Sequence, residues 1–223
     1  MHPSPHVPAT HHAPETPSTN PCPSTLAPWR RVDETQPLRR DALAAVRTLL
    51  RYLGEDPNRD GLLETPDRVL RAYGEFFAGY AQDPAAILAK TFDETADYNG
   101  PVVVRDIAVH SHCEHHMVSF TGVAHVAYLP HGQVVGLSKL ARLVDVLARR
   151  LQIQERLTAQ IAGALQTHLR PRGVAVMIAA EHQCMTLRGV RQHDTKTVTM
   201  HLTGVYENDP GLRSEIIARL DGC

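Results

Sequence analysis

Between His110 and His116 the chain reads His-Ser-His-Cys-Glu-His-His, which puts four imidazoles, one thiol and one carboxylate within seven residues. Thiolate and imidazole are preferred zinc ligands, and two intervening residues let a tight turn bring Cys113 and His116 to one ion. A second pair lies downstream. The alternation that puts Val174, Val176, Ile178 and Ala180 on one face of an extended segment also carries His182 and Cys184. If the two segments meet, Cys113, His116 and Cys184 form a Cys2His set whose fourth position is open to water, the pattern of a catalytic zinc. Such an ion lowers the pKa of bound water to about 7. His115 and His182 are then free to move protons. Spacing alone also permits, as the lesser reading, a closed site with one of these two as fourth ligand. His110, His112 and His125 alternate along strands and fit hydrogen-bonded wall positions, and Glu114 fits a group that orients a ligand.

A second group of residues fits an anion. Gly136-Leu137-Ser138-Lys139-Leu140-Ala141-Arg142 opens a helix that Ser138 can cap. Lys139 and Arg142, three apart, share a face beside first-turn amides whose dipole favours phosphate. The same residues also fit an ordinary cap followed by a solvated basic face. Arg188, just past Cys184, is expected to converge on this region if the metal site forms. Gln154 and Glu155 stand at another helix start, where the dipole alone explains the acid, yet amide and carboxylate together also match the donor edge of guanine.

The elements that must position these groups follow from periodicity. Leu43, Val46, Leu49, Leu50 and Leu53 predict a helix over 38–53, stopped by Gly54. Thr65 as N-cap and Pro66 at the first helical site begin a second, with Val69, Leu70, Tyr73, Phe76 and Phe77 as its stripe. Beyond Gly100 the period becomes two: 102–109 and 118–128 predict neighbouring antiparallel strands, with a bulge or kink at Gly122. Two helices follow, carrying Leu140, Val144, Leu147 and Leu151, then Leu157, Ile161, Leu165 and Leu169, and Pro171 and Gly173 break the second. Strands through Val174–Ala180 and Val198–Leu202 and a short closing helix near 210–220 complete an α+β order with an antiparallel sheet.

Composition sets the limits. The chain has 223 residues, a formal net charge of −1 and four cysteines. Near-neutrality removes the basic excess of a dedicated nucleic-acid binder. Four dispersed thiols do not make a disulfide framework, and no apolar run approaches the roughly 18 residues needed to span a bilayer, so no membrane partner is expected and the expected compartment is the cytoplasm. Eight prolines within residues 1–29 forbid helix and predict a disordered tail over 1–35. Its four histidines and Cys22 have no spacing that builds a site. A helical region over 36–98 and a catalytic domain over 99–223 follow.

Several stretches together resemble the GTP cyclohydrolase I family: Cys113-Glu114-His115-His116, Phe120-Thr121-Gly122-Val123-Ala124-His125-Val126, Val135-Gly136-Leu137-Ser138-Lys139, Gln154-Glu155-Arg156-Leu157-Thr158, His182-Gln183-Cys184-Met185 and Arg188-Gly189-Val190-Arg191. Glu64-Thr65-Pro66-Asp67-Arg68 fits as well, and the likeness runs from about Leu38 to the C-terminus. It implies a tunnelling fold (T-fold), an antiparallel four-stranded sheet with two helices packed on one side, preceded by an N-terminal helical hairpin. It implies a toroidal homodecamer with active sites at subunit interfaces, converting GTP and water to 7,8-dihydroneopterin triphosphate and formate, the first step of tetrahydrofolate biosynthesis. Position by position, it implies Cys113, His116 and Cys184 as zinc (Zn2+) ligands and His115 and His182 as catalytic. Water activated on zinc would attack C8 of the purine while His182 protonates N7. Ser138, Lys139, Arg142 and Arg188 match triphosphate-holding positions, with Arg68 joining from a neighbouring subunit, and Gln154 and Glu155 match guanine-reading ones. Ser119, Gln183 and the Gln192-His193-Asp194 loop depart from the family's commonest choices without touching a ligand. Two rivals are a structural zinc module binding a purine nucleotide without turnover, and a T-fold enzyme acting on a pterin or deazapurine.

Overall fold

Apolar residues recurring at helical spacing must be buried against something, and the chain supplies that surface as one twisted sheet. The computed structural model describes residues 37–92 and 98–221. The expected Pro-rich tail with Cys22, and Cys223, lie outside the described residues. In chain order the main elements are α1 (Pro37–Tyr52), α2 (Thr65–Phe76), α3 (Pro84–Leu88), β1 (Thr91–Phe92), β2 (Val102–Cys113), β3 (Ser119–Leu129) and β4 (Val134–Val135). They continue with α4 (Leu137–Ala148), β5 (Leu151–Gln152), α5 (Gln154–Leu169), β6 (Gly173–His182), α6 (Gln183–Thr186), β7 (Lys196–Gly204), α7 (Val205–Asn208) and α8 (Pro210–Asp221).

The sheet order is β5-β2-β3-β6-β7. The four long strands are antiparallel, as the alternation predicts, but the sheet has a fifth member: β5 pairs parallel with the end of β2, setting Cys113 opposite Gln152. Two residues between α4 and α5 are too few to carry a periodic signal. β1 and β4 form a separate two-stranded ribbon.

α4 and α5 bury Leu140, Leu143, Val144, Leu157, Ile161 and Leu165 against Val109, Phe120, Val126, Val176 and Ile178. The opposite face is also covered, by Tyr206, Ile216 and Leu220 of α7 and α8 packed on Ala127, Ala175 and Met177. Helices therefore lie on both sides of the sheet, which explains why β6 reads as an unbroken apolar run. β7 splits its parities differently. Val198 and Met200 stay exposed, while Thr199 turns towards α5.

Two local expectations change. The bulge lies in β2, not at Gly122: the register shifts between Val104 and Ile107, and Asp106 takes φ 59° there. The Asp106 N–H donates to Nδ1 of buried His125 at 3.2 Å, so His125 closes the bulge. Gly122 is instead a site of close approach, because a Cβ there would stand 2.0 Å from the Ala179 carbonyl oxygen. Thr65 is the first helical residue of α2 rather than its cap; Glu64 flanks it in helical conformation without a side-chain cap bond. α1 stops at Gly54, whose φ of 88° ends the helix as expected. No residue of α1 is buried, and Leu49, Tyr52 and Leu53 are exposed.

Candidate active site

Cys113 is the last residue of β2, and the turn after it folds back on its carbonyl, which accepts from the His116 N–H at 3.4 Å and the Met117 N–H at 2.8 Å. The turn is pinned at both ends. The Cys113 N–H donates to the Val118 oxygen at 2.9 Å and the Glu114 N–H to the Gln152 oxygen at 3.0 Å. Next in sequence, β3 pairs with β6, with Phe120 opposite His182. That register sets the end of β6 beside the turn.

Cys184 is not on the extended face that alternation assigned it. β6 ends at His182, and Cys184 sits on the first turn of α6. It nevertheless meets the other two expected ligands: Cys113 Sγ, His116 and Cys184 Sγ place their donor atoms within 4.8 Å of one another. Cys113 Sγ stands 3.8 Å from His116 Nδ1. Tetrahedral zinc with S and N ligands at about 2.3 and 2.0 Å would hold them about 3.5 Å apart, so these residues fit such an ion. His115 Nδ1 lies 3.5 Å from Cys113 Sγ. It does not belong to the mutual three-donor set. Burial, and then the adjacent Cys113 sulfur, push the Cys184 thiol above its ordinary pKa. A cation between the two sulfurs would offset that cost, since its charge favours the thiolate form of both.

His182 lies partly buried beside this group. Its ring stacks on Phe120 with centroids 4.6 Å apart and planes 9° from parallel. Its Nε2 is 2.8 Å from Gln154 Oε1. Burial lowers its pKa, with Glu155 opposing the shift. Gln154 is 1% exposed, and its amide nitrogen bonds within the subunit, to the Ile178 and Thr197 carbonyls and Thr199 Oγ1. Gln154 therefore faces His182 rather than open space, whereas the neighbouring Glu155 is exposed. Arg188 reaches the same cluster, with Nη1 3.1 Å from His116 Nε2.

The expected cationic cluster does not converge here within one subunit. Ser138 and Arg142 are exposed on the first turns of α4. Ser138 does not cap that helix: Gly136 is the capping residue, with no side-chain cap bond. The helix starts beside Val135, whose N–H donates to Tyr128 Oη, and Tyr128 pairs with Val102 at the far end of β2 from Cys113. It ends at Ala148, whose carbonyl accepts from Ser111 near the metal turn. Twelve residues at 1.5 Å each span about 18 Å. Ser138 and Lys139 therefore lie away from Cys113 of the same chain. Arg68 is exposed on α2 and pairs with Glu64 at 2.7 Å.

Two contributors lay unassigned inside recognised stretches. Phe120 supports the His182 ring. Arg156 forms a close ion pair with Glu114 and also donates to the Leu151 oxygen at 3.1 Å and Gln152 Oε1 at 3.2 Å, tying the metal turn to α5. No spacing in the sequence marks Arg156, because its partners are set by the pairing of β5 with β2.

Two thiols and an imidazole around one point, with further histidines at its edge, fit a protein that uses a metal to activate water, built on an antiparallel α+β sheet. Residues 42–221 match the family described as GTP cyclohydrolase I. The chain is 59% identical over 169 residues to the GTP cyclohydrolase 1 of Brucella anthropi, covering 76% of this chain and 79% of the relative. It is 58% identical over 172 residues to that of Brucella canis, covering 77% and 81%. Among solved structures, the apo form of the archaeosine synthase QueF-Like matches with a TM-score of 0.37 and 14% identity over 47% of this chain and 93% of that one. The chain belongs to the GTP cyclohydrolase I family, and it is an enzyme with GTP as its substrate.

Proposed function

We propose that the protein is a zinc-dependent hydrolase that converts GTP and water to 7,8-dihydroneopterin triphosphate and formate, the entry to tetrahydrofolate biosynthesis. The convergence of Cys113, His116 and Cys184 carries this reading. These residues hold the ion, which when bound supplies Lewis acidity and activates water near neutral pH. His182, its ring fixed against Phe120, handles the proton at the purine imidazole, and exposed His115 serves as a second proton carrier beside Cys113. The Glu155 carboxylate, free at the start of α5, accepts from the guanine edge. Gln154, matched to the same base pocket, has its side chain turned to His182.

Arg188, Ser138, Lys139, Arg142 and Arg68 hold the triphosphate. One subunit supplies Arg188 at the metal turn and keeps Ser138, Lys139 and Arg142 elsewhere. That separation supports a homo-oligomer in which neighbouring copies complete each site, a ring of ten on a T-fold. The wholly unburied α1 supports it too. Among the described residues no helix is long and apolar enough to cross a membrane, and the proposed compartment is the cytoplasm.

The zinc-loaded protein incubated with GTP should release formate and leave a pterin that fluoresces after oxidation, one formate per pterin. A bound, unaltered GTP would overturn the reading in favour of a nucleotide-sensing module.

A further inference from the structure

The hydrogen bonds around Gln154 fix which nitrogen of His182 is available for chemistry. Gln154 Nε2 lies 3.0 Å from the Ile178 carbonyl oxygen, 2.9 Å from that of Thr197 and 3.1 Å from Thr199 Oγ1. Carbonyl oxygens only accept, so the amide group facing them must be the NH2. The hydroxyls agree with this. Thr158 donates to the Gln154 backbone carbonyl at 2.7 Å, which uses its only proton. Thr199 must then donate to Thr158 Oγ1, also at 2.7 Å, leaving its lone pairs for the Gln154 amide. Turning the amide over would set its oxygen against two carbonyl oxygens, that of Ile178 buried and that of Thr197 partly so, at a cost of about 2 kcal/mol or more.

With the amide so fixed, Oε1 faces His182 Nε2 at 2.8 Å. An amide oxygen cannot donate, so Nε2 must carry a hydrogen. In the neutral ring Nδ1 is then the bare nitrogen. Turning the ring over about Cβ–Cγ would put a carbon, Cε1, where Nε2 now meets Oε1 and forfeit that bond, while the stack on fully buried Phe120 holds the ring plane.

We propose that Gln154 is a positioning residue for His182: it holds the ring as an Nε2–H donor and leaves Nδ1 as the nitrogen that exchanges protons with substrate. This rests on the proton-carrying role given to His182 above. It separates the two residues at the start of α5, with Glu155 facing the base and Gln154 acting through the imidazole.

The test compares wild-type holoenzyme with Gln154→Met, which keeps the side-chain length, using GTP and inosine triphosphate, which lacks the exocyclic amine. The variant should lose kcat about 10- to 100-fold, keep its KM for GTP within about twofold, keep its preference for GTP over inosine triphosphate, and keep one zinc per subunit. A raised KM with the preference erased and kcat intact would overturn the proposal by showing a base-reading residue. Unchanged kinetics would overturn it as well. A measurement that requires no folded variant is the 15N spectrum of histidine-labelled wild-type protein at pH 8, with His182 assigned by its loss in His182→Ala. Nε2 should resonate as protonated and Nδ1 as bare; the reverse would overturn the proposal. Wild-type protein that yields no formate would defeat the functional reading while leaving this tautomer readable.

Discussion

Gly122 offers the sharpest test of how the sheet holds the site. A Cβ at this position would meet the Ala179 oxygen at 2.0 Å, Ala180 Cα at 2.5 Å and Ala180 Cβ at 2.8 Å. All three obstacles belong to β6, and two of them are backbone. No rotamer change relieves the contact, so Gly122→Ala must push β3 and β6 apart by more than about 1 Å locally. Ladder bonds near 2.9 Å then pass out of hydrogen-bonding range. Losing two buried backbone bonds costs about 2 kcal/mol, and the overpacking itself about 1–3 kcal/mol. Reduced freedom of the unfolded chain returns about 0.4–1 kcal/mol. The net destabilisation is about 2–5 kcal/mol, a substantial share of a typical domain's 5–15 kcal/mol. It is read as the shift in the urea unfolding curve, with both proteins at one concentration so that any association affects them alike. Because Gly122 pairs with Ala180 and Phe120 with His182 on the same ladder, turnover should fall as well. A change below about 0.5 kcal/mol would refute the reasoning and mean that the strands carry slack there.

Two further outcomes follow from side chains around the site. Arg156→Ala cuts the ties from α5 to Glu114 and β5 while leaving every ligand in place, so zinc affinity measured by chelator competition should fall about 10- to 100-fold; an unchanged affinity would show that the backbone bonds alone hold the turn. Burial lowers the pKa of His112 and His125 in the folded chain. The unfolded chain therefore takes up protons first, and their stabilising contribution is full above about pH 6.5 and lost as pH falls through the folded values. The urea midpoint should drop on acidification below that point, less steeply in His125→Gln, and a midpoint that rises would contradict the burial.

The elements that declared themselves in the sequence were those with one covered face and one periodicity. α2, α4 and α5 read directly from stripes such as Leu157, Ile161 and Leu165, and the long strands from their alternation, while α1 was legible from its stripe although none of its residues is buried. β5 escaped because two residues have no period and its pairing is decided by where α4 ends. The bulge was misplaced for a similar reason. Gly122 looks like a backbone exception, but the irregular residue is Asp106, stabilised by a histidine nineteen positions away. The meeting of the three candidate ligands was legible because so many thiols and imidazoles seldom gather by chance, even though Cys184 arrives on a helical turn. What no spacing could reveal is that Gln154 looks inward and that Ser138 and Lys139 stand apart from the metal turn. Both facts belong to the packing of α4 and α5 across the whole width of the sheet.

That placement of α4 has a consequence at the level of heredity. In the proposed homo-oligomer, with the metal turn of one copy against the basic helix of the next, a lesion at Cys184 and a lesion at Lys139 would damage opposite halves of a shared site. Two such alleles expressed together would form mixed rings in which some junctions join an intact turn to an intact helix. Each allele would be null alone, yet the pair would retain activity. Two lesions in the same half could not compensate in this way, so the pattern of mutual rescue among alleles would itself trace which residues meet across the subunit boundary.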